Sequence, residues 1–206
     1  MRTRVKVCGI TRPEDARAAA DAGADAIGLV FYPPSPRRLA LEQARGLRLA
    51  LPPFVSAVAL FVNPDAADVA RVIDVVRPDL LQFHGDESPE FCARFGVPYL
   101  KTCRMGPGVD LLEYLSPFTD AAGWLADAYV EGYGGAGESF DWSLVPAERP
   151  RPVILSGGLN AGNVREAIRR VRPWGVDVSS GVESAKGIKD AAKIAAFIAE
   201  VKHADV

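Results

Sequence analysis

Eight short apolar runs, each closed by a turn or a polar cluster, constrain this chain more than any other feature. They cover about residues 4–8, 26–31, 55–62, 80–84, 98–103, 123–127, 152–156 and 175–179. Helical patterns separate them, over about 13–22, 41–51, 64–76, 109–115, 161–171 and 189–202, with a short one opened by Ser88-Pro89-Glu90. Continuous apolar strands alternating with amphipathic helices are the pattern of a parallel sheet covered on both faces. An open doubly wound sheet usually has five or six such units, whereas eight strands alternating with helical segments give the strand count of a (β/α)8 TIM barrel. No Gly/Ser linker or composition break interrupts the pattern, so residues 1–206 are expected to form a single α/β domain. Thr11 is expected to cap the first helix and Asn63 the third.

In a barrel, the carboxyl ends of all eight strands surround one pocket, and chemistry sits there. Two glycine turns fall at the ends of the seventh and eighth strands, Ser156-Gly157-Gly158 and Ser179-Ser180-Gly181. Each alone is an ordinary turn. Together, with Gly157, Gly158, Ser180 and Gly181 at adjacent strand ends, they form the place where barrels commonly hold a phosphate on backbone N–H groups.

Cys8 ends the first strand and is followed by Gly9. A cysteine met at random is a small buried hydrophobe. At the catalytic rim, it is also a candidate general base once its pKa is drawn toward neutrality, here expected through nearby N–H dipoles. Asp127 ends the sixth strand in an otherwise apolar run. It reads either as a turn cap or as a general acid facing Cys8 across the pocket. Arg37 follows the proline-stiffened loop Tyr32-Pro33-Pro34-Ser35-Pro36 and reads either as a solvated arginine or as a bidentate clamp for a carboxylate. His84, which ends the fourth strand, reads either as a pocket residue or as a satisfied structural histidine, and Asp177, a charge inside the eighth strand, should point either into the pocket or toward a buried partner. Glycines 132–137 form a cover for the pocket or a flexible turn.

Composition narrows the partners. There are 24 basic and 26 acidic residues, a net charge of −2, which asks for neither nucleic acid nor an anionic membrane. No apolar run approaches the length of a membrane span and no signal-type segment opens the chain, so the cytoplasm is the expected location. Three cysteines without a CxxC pair argue against a disulfide framework, and two histidines put a multi-histidine metal site out of reach. Whether the chain works as a monomer or a homodimer is left open.

Several stretches, taken in order, are similar to one known family. They are Lys6-Val7-Cys8-Gly9-Ile10-Thr11, Phe31-Tyr32-Pro33 through Arg37, Gln82-Phe83-His84-Gly85, Gly134-Gly135-Ala136-Gly137 with Phe140-Asp141-Trp142, Leu155-Ser156-Gly157-Gly158-Leu159, and Val176-Asp177-Val178-Ser179-Ser180-Gly181-Val182-Glu183. In combination they resemble the phosphoribosylanthranilate isomerases of tryptophan biosynthesis. The resemblance implies an Amadori rearrangement of N-(5-phosphoribosyl)anthranilate on a small-molecule phosphosugar site, with no metal or organic cofactor. It also implies roles: Asp127 as general acid at the furanose ring oxygen, Cys8 as general base at C2, Arg37 on the anthranilate carboxylate, and Gly158, Ser180 and Gly181 on the phosphate. The chain departs from many members at Ala126, where a bulkier residue is common, and at Ala136, which interrupts the glycines. Rival readings fit less well. An aminoimidazole-ribotide-type isomerase would be expected to use two aspartates, a metal-dependent epimerase needs more histidines, and an indole-forming synthase needs catalytic strand lysines, for which only Lys6 and Lys101 qualify. A non-catalytic phosphate-binding module would make Cys8 and Asp127 dispensable.

Overall fold

Alternate residues of each barrel strand point to opposite faces, and nearly all the outward ones are apolar. Val5 and Val7, Ile27 and Leu29, Ala57, Ala59 and Phe61, Leu81 and Phe83 are buried together beneath the helices. A computed structural model describes residues 2–129 and 139–205. Its eight strands are β1 (Arg4–Cys8), β2 (Ala26–Val30), β3 (Ser56–Phe61), β4 (Leu80–Phe83), β5 (Tyr99–Met105), β6 (Gly123–Ala128), β7 (Val153–Leu155) and β8 (Gly175–Val178). They form a closed parallel barrel in sequence order, as the alternation predicts. Closure comes from β1 pairing with β8, in a register that sets Arg4 against Gly175 and Lys6 against Asp177. No helix among the described residues is long and apolar enough to cross a membrane.

The helices are α1 (Pro13–Ala22), α2 (Leu41–Leu49), α3 (Ala66–Val76), α4 (Pro89–Ala93), α5 (Leu111–Leu115), α6 (Val164–Val171) and α7 (Ala191–Ala204). Between β6 and β7 the described residues contain only a 3₁₀ turn, Trp142–Leu144, rather than an eighth α-helix. The glycine-rich stretch 132–137 lies outside the described residues. Gly23 closes α1 at φ 104°, a left-handed position where glycine carries no Cβ penalty.

Two capping expectations fail. Thr11 does not cap α1, whose N-cap is Arg12. The Thr11 hydroxyl donates instead to the Gly187 carbonyl, tying the first loop to the last. Asn63 does not cap α3, whose N-cap is Asp65. Asn63 sits at φ 47°, and its side-chain oxygen accepts the Asp86 amide, so it joins the loops after β3 and β4. Both are polar side chains with a tertiary partner that outcompetes the local one. The final helix also starts later than the sequence pattern suggests. Residues 183–189 form a small hairpin, β9 (Glu183–Ala185) with β10 (Ile188–Lys189), and Asp190 caps α7 by accepting the Ala192 and Lys193 amides.

Candidate active site

The cavity at the carboxyl end of the barrel has a volume of about 220 Å³. Its wall brings together Cys8, Arg37, His84, Asp127, Gly157, Gly158, Asp177 and Ser180. Eight of the nine residues picked out from the sequence therefore line one space. The ninth, Gly181, stands behind the wall. A Cβ there would lie 2.0 Å from the Leu159 carbonyl oxygen, so its glycine lets the loops after β7 and β8 cross.

Cys8 faces inward from β1 and is 7% exposed. Room for it comes from the neighbouring strand, since a Cβ on Gly28 would meet the thiol sulfur at 2.6 Å. Burial pushes the Cys8 thiol above its usual value, and Lys6 works against that rise. The N–H dipoles expected from the sequence do not serve the thiol: the Gly9 and Ile10 amides both donate to the Gly28 carbonyl, at 2.9 and 3.1 Å. Charged side chains surround Cys8 instead. Lys6 lies two residues back on the same face of β1, with its Nζ 2.7 Å from Asp177 Oδ2. Lys189 reaches over from the hairpin and donates to Ser179 O at 3.0 Å and to Glu183 Oε1 at 2.9 Å.

Asp127 faces Cys8 from β6. His84 Nε2 is 3.0 Å from Asp127 Oδ2. The other ring nitrogen, Nδ1, lies 3.0 Å from Gln82 Nε2 and 3.1 Å from Thr102 Oγ1.

Arg37 lies on the pocket wall with a partner of its own. Its bidentate edge is already engaged, with Nε and Nη2 donating to the two oxygens of Glu183 at 2.7 and 2.8 Å. Gly9 leaves space for this side chain, because a Cβ there would fall 2.4 Å from Arg37 Cδ. Asp177 faces the pocket and also has a buried partner. Its Oδ2 holds Lys6, while its buried Oδ1 has no hydrogen-bond partner among the described residues.

On the far side, Gly157 and Gly158 sit at φ 85° and 63°. The Gly158 carbonyl is held by Asn163 Nδ2 at 3.0 Å. The amides of both glycines are absent from the backbone hydrogen bonds of the described residues, which leaves donors for an anion. No three His, Cys, Asp or Glu side chains among the described residues converge as a metal site requires.

The sequence reading missed Glu183, Lys189 and the pairing of Lys6 with Asp177. A signal was present: Lys6 and Asp177 interrupt strands that must be buried on both faces, and a charge in such a strand needs a partner.

A thiol and a carboxyl group facing one another over a glycine-lined anion cradle define a class, the barrel enzymes that rearrange small phosphorylated substrates by acid–base chemistry. The family model for N-(5'phosphoribosyl)anthranilate (PRA) isomerase matches residues 5–200, and the chain belongs to that family. It is 58% identical over 204 residues to the N-(5'-phosphoribosyl)anthranilate isomerase of Leptothrix cholodnii, covering 99% of this chain and 93% of that one. The crystal structure of phosphoribosyl anthranilate isomerase from Thermotoga maritima superimposes with a TM-score of 0.88 at 41% identity, over 98% of this chain and 99% of that one. A phosphoribosyl anthranilate isomerase in complex with reduced 1-(o-carboxyphenylamino)-1-deoxyribulose 5-phosphate gives 0.87 at 40% identity, with the same coverage.

Proposed function

We propose that this chain converts N-(5-phosphoribosyl)anthranilate to 1-(2-carboxyphenylamino)-1-deoxyribulose 5-phosphate in tryptophan biosynthesis, in the cytoplasm. One observation carries the reading: Cys8 of β1 and Asp127 of β6 line the same cavity as the glycine loop 157–158 and Ser180. The phosphate lies on the amides of Gly157 and Gly158 with Ser180, braced by Gly181. The anthranilate carboxylate meets Arg37 through Nη1.

Asp127 gives a proton to the furanose ring oxygen as the nitrogen lone pair drives cleavage of the C1–O bond, which produces the open imine. The Cys8 thiolate then takes the C2 proton, and the electrons move to form the enolamine. Return of a proton to C1 and loss of one from the enol oxygen give the ketone, so the atoms balance as an isomerisation. His84 orients the Asp127 carboxyl, and the apolar wall of Val30, Leu60 and Val62 limits water around the thiol.

The test is loss of anthranilate-type fluorescence with substrate generated in situ, comparing wild type with Cys8→Ala and Asp127→Asn. General acid and base groups are each typically worth about 10²- to 10⁴-fold, and losses of that size are expected in both variants. Full turnover by either would remove that residue from the mechanism. Binding of a phosphosugar analogue by wild type without turnover would reduce the site to a binding module.

A further inference from the structure

The groups around Cys8 do not balance in charge. Lys6 (6% exposed) and Lys189 (3%) are buried cations, and the Arg37 side chain (11%) is a largely covered third. They face two buried carboxylates, Asp177 (4%) and Glu183 (6%). Asp177 holds Lys6 at 2.7 Å, and Glu183 is shared between Arg37 and Lys189 at 2.7 and 2.9 Å. One positive charge is left over in a region shielded from water, where an uncompensated charge is costly. The cavity is also lined by Tyr32, by His84 of β4 and Asp127 of β6, which pair with each other, and by the apolar Val30 of β2, Leu60 of β3 and Val62 just beyond it.

We propose that the Cys8 thiolate is the missing sixth member of this cluster, and that Lys6 and Lys189 are positioning residues that favour the deprotonated thiol by supplying its counter-charge. The inference rests on Cys8 being the base of the proposed reaction. Lys6 is fixed by geometry, because alternate residues of a strand share a face about 6–7 Å apart. Lys189 is fixed by the hairpin, whose Lys189 amide is also tied down by Asp15 at 3.1 Å. Burial pushes the Cys8 thiol up, and Lys6 and Lys189 are the groups that oppose that rise.

The test reads the thiol directly and does not depend on turnover. The full-length protein is alkylated with iodoacetamide across a pH series, and the modification at Cys8 is followed by mass spectrometry. Peptide-level mass spectrometry distinguishes Cys8 from Cys92 and Cys103, which burial pushes up to about 12 and about 11. Lys6→Met and Lys189→Met are each expected to move the Cys8 midpoint up by about one to two pH units, the size of one unit charge at this separation in a protein interior. Asp177→Asn and Glu183→Gln are expected to move it down. Lys6→Arg is expected to leave it near wild type. Lys6→Met is also expected to lower kcat at neutral pH with KM little changed.

Opposite signs for cations and carboxylates are the signature, since merely structural damage would move all four the same way. Shifts of one sign only, or none, would overturn the proposal. Should Lys6→Met fail to fold because Asp177 is left unpaired, the Lys6→Met/Asp177→Asn double variant removes both charges and is still expected to raise the midpoint. Full turnover by Cys8→Ser would instead overturn the base assignment, leaving the alkylation series as a statement about the thiol alone.

Discussion

Two regions of this barrel bury a lysine against a carboxylate, and they differ in what is left over. On the outer side of β5, Lys101 is fully buried, with its Nζ 2.9 Å from Glu87 Oε2 and also donating to the Gly85 carbonyl. Glu87 accepts the backbone amides of Asn63 and Gly85 at 2.8 and 3.1 Å. Each charge there is matched by one opposite charge and by neutral hydrogen bonds. Inside the barrel, the groups around Cys8 carry one cation too many, and Asp177 Oδ1 has no partner among the described residues. The saturated pair locks two loops onto the sheet. The unsaturated cluster keeps a residual field at Cys8, the proposed base. A buried charge is therefore informative about function only when its partners fail to cancel it.

The comparison breaks most readily at the outer pair. Lys101→Met leaves Glu87 buried without its counter-ion, and removing one partner of a buried pair costs about 3–5 kcal/mol. The expected result is a large drop in the urea midpoint with kcat per folded molecule unchanged. A loss of kcat matching that of Cys8→Ala would erase the distinction between the two regions.

Gly28→Ala tests the inner region through packing rather than charge. Its Cβ would press on the Cys8 sulfur at 2.6 Å and on the Cys8 Cα at 3.0 Å. Overpacking of this kind costs about 1–3 kcal/mol, and here it should displace the thiol as well. Stability and kcat are expected to fall together, measured by thermal unfolding and by the fluorescence assay. Wild-type kcat in this variant would show that the thiol's position is not critical.

The smallest effect concerns the hairpin. Burial works to raise the Glu183 carboxyl, but hydrogen bonds from Arg37 and Lys189 outweigh it and hold the group below its ordinary value of 4.5. A folded value below the unfolded one means that stability is fully present above pH 4.5 and is lost as pH falls through the folded value. Wild type should therefore lose stability on acidification more steeply than Glu183→Gln. Parallel profiles of unfolding free energy against pH would show that the Glu183 contacts contribute nothing to acid stability.

Much of the molecule was legible in the chain. Apolar runs at regular spacing, helix starts such as Pro13-Glu14 and the stop at Gly23 dictate strand–helix units by local chemistry alone, and eight of them imply closure. Once closure is granted, the carboxyl end of every strand must face one space, which is why Cys8, His84, Asp127 and the glycines at 157 and 158 are brought together by the strand pattern alone. What only the tertiary structure decided is which charges meet. Lys6 finds Asp177 across 171 residues and Arg37 finds Glu183 across 146. The first contact exists only because β1 closes against β8 in one register, and the second only because a hairpin after β8 folds back over the pocket. Thr11 and Asn63 teach the same lesson on a smaller scale: local rules gave them a helix to cap, and a distant backbone group offered each a better partner. Strand and helix are set by neighbours in sequence. A buried charge is set by desolvation, which is severe enough that its partner is chosen by the whole fold.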